Sequence, residues 1–362
     1  MRTTPYPLLT ESARADIAQR AHALDTQAEL ASTVLPMLAH HDLLRTGLPV
    51  AQGGHGGDVR DAIAAITEVA SLSLTSAFVF WSQRAFIHYL QASGNEAARE
   101  RWWDALLCGD IAGAVGLSNV IKFLSRIEAL QVQAKPLEQG WSLDGVLPWV
   151  SNVRSQGFVV AAAVQPEGGG LPMVMALESG LPGLVRSPDL DLLGMRASNT
   201  AALQLNQVAV PAQALLAQAG PPYLKAARPG FLGMQCALSI GLARAALQAA
   251  AQGGGARGPL HGRVTEAQKT LGQMEAELLD GVLDDRWVAD VSPLFALRMR
   301  LAGIVQDALQ LELQATGGRA YLQDQQPDFG RRWRESAFIP IVTPSLTQLE
   351  GELAQHAAQV AA

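Results

Sequence analysis

The chain's chemistry-bearing residues gather in four short stretches. The first, Gly47-Leu48-Pro49-Val50-Ala51-Gln52-Gly53-Gly54-His55-Gly56-Gly57, has four glycines in its last five residues. Glycine opens backbone angles closed to other residues and lets bare N–H groups approach a phosphate. Phosphate cradles normally join a strand to a helix, however, and helical patterns flank this stretch on both sides, which reads as a surface loop. The second stretch, Leu147-Pro148-Trp149-Val150-Ser151-Asn152, sets an indole beside a hydroxyl and an amide. By itself it could be a core tryptophan followed by a turn. The third is Leu193-Gly194-Met195-Arg196-Ala197-Ser198-Asn199-Thr200, and the fourth Gln314-Ala315-Thr316-Gly317-Gly318-Arg319-Ala320-Tyr321. Glycine pairs like Gly317-Gly318 commonly end a helix. Elsewhere the signals are weak. The seven histidines, His40-His41 among them, lack metal-ligand spacing, Asp284-Asp285 reads as a turn, and no Gly-x-Ser-x-Gly nucleophile elbow occurs.

The elements that must position these stretches follow from periodicity. Between Glu11 and about Leu107 the pattern is helical, with Ala62, Ile63, Ile66, Val69 and Ala70 on one face. From about Gly113 to Pro211 the period changes to two. Leu130, Val132 and Ala134 alternate with Gln131, Gln133 and Lys135, and further strands are expected at Trp141–Val146, Phe158–Val164, Pro172–Leu177 and Ala201–Val210. Past a linker from Pro211 to Pro222 the helical period returns. Three apolar stripes run through Leu238–Ala249, Ala267–Leu278 and Leu297–Leu311, and a fourth helix is expected from Pro344 or Ser345 to Ala358. We therefore expect an α+β chain with an N-terminal all-α domain (1–112), a middle β-sandwich or barrel domain (113–215) and a C-terminal four-helix bundle (216–362).

Composition narrows the function. The 362 residues suffice for two or three units with a sizeable core. A net charge of −6, with only 17% charged residues, argues against a nucleic-acid partner or a polybasic membrane binder. No apolar run reaches the length of a membrane span, and no membrane partner is expected. The N-terminus lacks a secretory pattern, and the two cysteines, Cys108 and Cys236, make no disulfide framework. These features suggest a cytoplasmic protein.

Taken together, the helical–β–helical order and the four stretches resemble the acyl-CoA dehydrogenase superfamily over nearly the whole chain. The first is similar to the family's G-x-x-x-P-x-x-x-G-G-x-G loop. The second is similar to K-x-W-[IV]-[ST]-N, whose tryptophan and hydroxyl lie against the flavin ring. An indole suits the face of such a large flat heteroaromatic, while a hydroxyl and N–H groups suit its polar edge. The third resembles L-G-x-[RK]-x-S-x-[TS], which in the family is mostly structural, and the fourth resembles Q-x-x-G-G-x-G-Y. The resemblance implies FAD as cofactor, with Leu117, Ser118, Trp149, Ser151, Arg257, Gln314, Gly317 and Gly318 as its contacts. It also implies a homodimer or homotetramer, because Gln314–Gly318 would hold a neighbouring subunit's dinucleotide.

Departures from the pattern bear on the reaction. The family's base, a glutamate that removes the α-proton of an acyl thioester, usually lies about nine residues after the arginine of an R-[DE] pair. Here that pair is Arg334-Glu335, and Thr343 stands in the glutamate's place. A second family location for the base corresponds to Arg228-Pro229-Gly230-Phe231-Leu232-Gly233, which holds no carboxylate, while Glu350 and Glu352 read as solvated helix residues. The family's T-E-P-x-x-G-S-D loop is reduced to Gly116–Phe123, Ala320 replaces a glycine, and Arg257 is the residue left to meet a pyrophosphate. Three functions are thus expected in order: an acyl-CoA dehydrogenase-like oxidoreductase, a flavin-dependent monooxygenase on the same scaffold, and a catalytically silent flavin- or ligand-binding member. The implied partners are an acyl-CoA or other small-molecule substrate and an electron-transfer protein or flavin reductase.

Overall fold

The structure, a computed structural model, describes residues 9–124, 128–254, 258–284, 286–322 and 327–361. Five helices come first: α1 (Glu11–Thr26), α2 (Ala31–His40), α3 (Val59–Leu72), α4 (Leu74–Ala92) and α5 (Glu96–Cys108). Their starts are written in the sequence. Thr10 accepts from the Ala13 N–H at 3.1 Å, Asp58 and Asp61 form a capping box on α3, and Ser73 accepts from the Ser76 N–H at the head of α4. The expected stripe on α3 is buried in full. Almost every residue of α4 is buried, so it is the axle of the molecule, with the long helix Gly220–Gln252 of the C-terminal part on one side and the strand Ala112–Gly116 on another.

Eight strands follow: β1 (Ala112–Gly116), β2 (Val132–Leu137), β3 (Gly140–Val150), β4 (Phe158–Pro166), β5 (Met173–Glu178), β6 (Leu184–Arg186), β7 (Ala201–Val210) and β8 (Leu215–Ala217). They form one mixed sheet in the order β6-β7-β3-β2-β4-β5-β8, with β1 parallel to β4. The five strand regions expected from the sequence are all present. Between β1 and β2, where a loop was expected at Gly116–Phe123, the chain instead forms helix α6 (Ser118–Leu124). Asn119 fixes that helix by donating to Glu128 (2.7 Å) and the Ala129 carbonyl (3.1 Å) and accepting from the Gln131 N–H (2.7 Å). The long pair β3–β7 shifts register between Leu147 and Val150, and this irregularity turns the end of β3 so that Trp149 stands out from the sheet.

The C-terminal part contains α7 (Gly220–Gln252), α8 (Pro259–Gly281), the short α9 (Arg286–Ala289), α10 (Ser292–Thr316), α11 (Pro327–Ser336) and α12 (Leu346–Ala361). The four expected helices correspond to α7, α8, α10 and α12, and α7 begins inside the stretch read as a linker. By length and composition α7 could cross a bilayer, but 89% of its most apolar window is buried among its neighbours. The helix α11 is short and charged, with Phe329 and Trp333 (ring centroids 5.7 Å apart) as its only large apolar residues, which is why periodicity misses it. It is held largely by buried ion pairs: Arg331 with Glu335 (2.8 Å), Arg332 with Glu312, and Arg334 with Asp25 (2.6 Å). Removing one partner of such a pair strands a charge and costs about 3–5 kcal/mol.

Candidate functional site

Where the three parts meet, a cavity of about 430 Å³ opens to solvent. Its walls come from α4 (Phe78, Trp81, Ser82), the β1–α6 junction (Leu117, Ser118, Lys122), the end of β3 (Trp149, Ser151), the 192–200 segment, Phe231 of α7, and the stretch from Arg334 to Thr343. Four of the eight expected flavin contacts, Leu117, Ser118, Trp149 and Ser151, thus share one space with Thr343. Around the cavity, Trp149 is 59% exposed, Leu193 75% and Ile341 65%. So much bare apolar surface on one concavity marks a ligand site.

Polar groups on the wall are few and ordered. The Ser151 and Ser198 hydroxyls each lie 2.8 Å from the Thr200 hydroxyl, giving a chain of three. Below it Asn152, fully buried in the left-handed region (φ 61°), donates to Gln83 (3.0 Å) and the Gly113 carbonyl (2.9 Å) and does not line the cavity. The third stretch combines both roles. Asp25, at the end of α1, accepts from the Met195 N–H (2.7 Å), and Asn199 donates to the Ala31 carbonyl (2.8 Å), tying sheet to helices. A Cβ on Gly194 would stand 2.8 Å from the Asp25 carboxylate and 3.1 Å from Arg334 Cβ, so only glycine allows this approach.

Charge on the wall is one-sided. Lys122 and Arg334 are its only charged residues among those described, and no carboxylate faces the cavity. Arg334 is neutralised by Asp25, whereas Lys122 has Glu128 at 3.4 Å. Glu335, the acid of the Arg334-Glu335 pair, points away: it accepts from Arg331 and from the Leu74 N–H (3.1 Å). The Thr343 side of the cavity is fixed from behind. Arg298 of α10, fully buried, donates to the Ile339 carbonyl (2.7 Å) and to Gln235 (3.2 Å), and Gln235 donates to the Thr343 carbonyl (2.9 Å). With no carboxylate beside it, burial holds the Arg298 guanidinium below its usual range.

A second cavity, of about 690 Å³, adjoins the first and shares Leu117 and Phe231 with it. Trp287, Val291 and Phe295 give it apolar walls, while Lys225 and Arg228 line it without forming an ion pair among the described residues. Glu352 lines this second space and Glu350 is exposed on α12, so neither reaches the Thr343 wall.

The other sequence candidates lie apart. Gln314, Gly317 and Gly318 are exposed at the end of α10, where Gln314 accepts from Arg263 (3.2 Å), and they touch neither cavity of their own chain. Arg257 lies outside the described residues. The glycine-rich loop is a structural turn: Arg45 donates to the Gly53 carbonyl (2.7 Å) and His55 pairs with Asp42 (2.8 Å). No group of three metal-ligating side chains occurs among the described residues. Nothing in the sequence marks Phe78, Trp81 and Phe338 as cavity walls, and Phe231 is named only within the stretch at the second base location. Thr200 and Lys122 lay inside stretches already noted, but nothing in their spacing marked them as cavity walls.

Comparison with known proteins places this geometry. Residues 8–110 match the family "Acyl-CoA dehydrogenase, N-terminal domain". A probable acyl-CoA dehydrogenase of Bacillus subtilis (strain 168) is 26% identical over 257 residues, 67% of this chain and 65% of that protein. The chain thus spans just under two thirds of the length of this curated relative. Among solved structures, butyryl-CoA dehydrogenase from Megasphaera elsdenii superposes with a TM-score of 0.74 at 19% identity, covering 99% of this chain and 100% of that one. Dibenzothiophene monooxygenase from Paenibacillus sp. A11-2 gives 0.73 at 19% identity, covering 95% and 93%. Residues 8–110 thus match the family's N-terminal domain, and the chain as a whole has the fold of these solved structures.

Proposed function

We propose that this chain belongs to the acyl-CoA dehydrogenase superfamily and binds a flavin, FAD being the expected form, in the first cavity. There it acts as an oxidoreductase whose reaction needs no carboxylate base, which favours oxygen-dependent monooxygenation over α,β-dehydrogenation. The observation that carries this choice is the cavity wall itself, with Thr343 at the base position and no carboxylate among the described residues. A threonine hydroxyl can donate or accept a hydrogen bond but cannot hold an abstracted proton near neutral pH. The dibenzothiophene monooxygenase supports the same reading, since it is named for an oxygenation and shares this fold.

The residues present fit a flavin. An exposed indole offers a face to a flat ring, and the Ser151–Thr200–Ser198 hydroxyls offer partners for a polar edge. When bound, a flavin supplies reversible two-electron transfer and, once reduced, reaction with dioxygen. The chain supplies the rest. Phe78, Trp81 and Phe231 exclude water, and the Arg298–Gln235 clamp fixes the Thr343 wall. Lys122 and the Lys225–Arg228 pair suit the anionic groups of a substrate such as a coenzyme A thioester. Reducing equivalents would come from a separate reductase or electron-transfer protein, and the working form would be a homodimer or homotetramer.

Dehydrogenation keeps the support of the Bacillus relative and the Megasphaera structure, so the experiment must separate the two. The flavin-loaded protein is titrated anaerobically with a panel of acyl-CoA thioesters. We expect the visible flavin band to persist and to bleach only with an external reductase, oxygen then yielding an oxygenated product. Bleaching by a thioester alone would overturn the monooxygenase reading, and failure to retain any flavin would leave the silent member. In the same assay, Thr343→Glu should confer slow thioester-dependent bleaching, at least tenfold above the parent, if position and desolvation suffice for a base.

A further inference from the structure

Phe231 is the residue on which the shape of the substrate space turns. With Leu117 it lines both cavities, while Thr343 lines the first and its neighbour Pro344 the second. The ring is 3% exposed and lies between two others, Trp81 of the first cavity (5.3 Å between centroids) and Tyr89 of the second (5.6 Å). Trp81 in turn stacks on Phe78 at 5.4 Å. The backbone beneath Phe231 has little room to move, because a Cβ on Gly230 would stand 2.6 Å from the His88 ring, and His88 is itself held by the Ala227 carbonyl at 3.0 Å. Tilted aromatic contacts of this kind add to what area burial alone supplies, so the ring has a strong preference for its place.

We infer that Phe231 is a specificity-determining partition: it closes the reaction cavity on the side of α7 and limits the length of apolar chain that the first cavity accepts. The second cavity, larger and apolar on the side of Trp287 and Phe295, is then unused by the apolar part of a substrate seated in the first. Replacing the ring with a methyl group joins the two spaces through the gap between Trp81 and Tyr89, and a longer chain can continue into the second. The inference rests on the first cavity being the reaction chamber, but it does not depend on which reaction is run there.

The test measures binding alone. Straight-chain carboxylates of 4, 8, 12 and 16 carbons serve as probes, titrated calorimetrically into the flavin-loaded parent, Phe231→Ala and Phe231→Leu. Each added methylene buried deepens affinity, so the point at which affinity stops rising reports the end of the space. We expect the parent to level off at the medium lengths. Phe231→Ala should continue to tighten, binding the 12- and 16-carbon probes at least tenfold better than the parent while the 4-carbon probe changes less than twofold. Phe231→Leu, which keeps a bulky side chain at the wall, should level off like the parent and shows that substitution as such is tolerated. Parallel length profiles for parent and Phe231→Ala, or no binding of any probe by the parent, would overturn the partition. A thioester that bleaches the flavin would refute the monooxygenase reading and leave this result standing.

Discussion

Arg84 shows how far a single residue can depart from the rule that buried charges are paired. It lies at 2% exposure in α4, its Nε and Nη1 have no acceptor, and no carboxylate forms an ion pair with it among the described residues. Desolvation pushes its guanidinium down to about 10. A cation with a lowered folded-state pKa destabilises the fold at every pH below that value, because the unfolded chain holds the proton more comfortably. Arg84→Met, of similar length and without the charge, should therefore raise stability by about 1–3 kcal/mol in urea unfolding. A loss of stability instead would show that the guanidinium has a buried partner, such as ordered water. Arg298 contrasts with it, since both of its donated bonds hold the cavity wall. At this scale the sequence was legible where a residue type is rare and its neighbours are specific. Trp149 with Ser151 could be picked out, and so could Thr343 as a departure. Buried arginines could not, because nothing in the local sequence tells a buried guanidinium from a solvated one.

Helices and strands were legible wherever burial follows a period. The stripes of α3, α7, α8 and α10 and the alternation in β2 and β7 all reappear in the structure, since one face of each packs on apolar neighbours. Two elements escaped for physical reasons. The helix α11 has a single buried apolar residue, Phe329, and is held largely by ion pairs, while α6 is set by the bonds of Asn119 across a gap of about ten residues. The seam between α4 and α7 yields a prediction about pH. His88 donates across it to the Ala227 carbonyl, and burial, aided by the Arg84 cation, holds its pKa below the usual 6.5. The folded state keeps this imidazole neutral while the unfolded chain takes up a proton near 6.5. Stability is thus complete above that pH and falls as pH drops below it. His88→Gln, which can still donate to Ala227, should flatten the fall in melting temperature between pH 7 and 5. An unchanged slope would assign the acid sensitivity to other groups.

The whole molecule poses the question of assembly, because the residues expected to hold the dinucleotide end of a flavin are exposed on their own chain. Gln314, Gly317 and Gly318 lie at the end of α10, followed by Tyr321 at 89% exposure and Leu322 at 49%. Ala320, which replaces a family glycine, is buried, so its methyl group faces inward and does not obstruct that surface. Around Gly318 a Cβ would meet nothing within 4 Å, and its backbone is not in the left-handed region. In a monomer Gly318→Val is then an ordinary surface change, within about 0.5 kcal/mol of the parent. In a dimer whose partner's flavin passes close to this backbone, the added branch collides with the cofactor or the neighbour. We expect Gly318→Val to keep the parent's circular dichroism while its flavin-to-protein ratio and its association, read by sedimentation, both fall at least fivefold. Retention of flavin and of oligomeric state by this variant would confine the flavin site to one chain. The exposed end of α10 would then have no part in holding it.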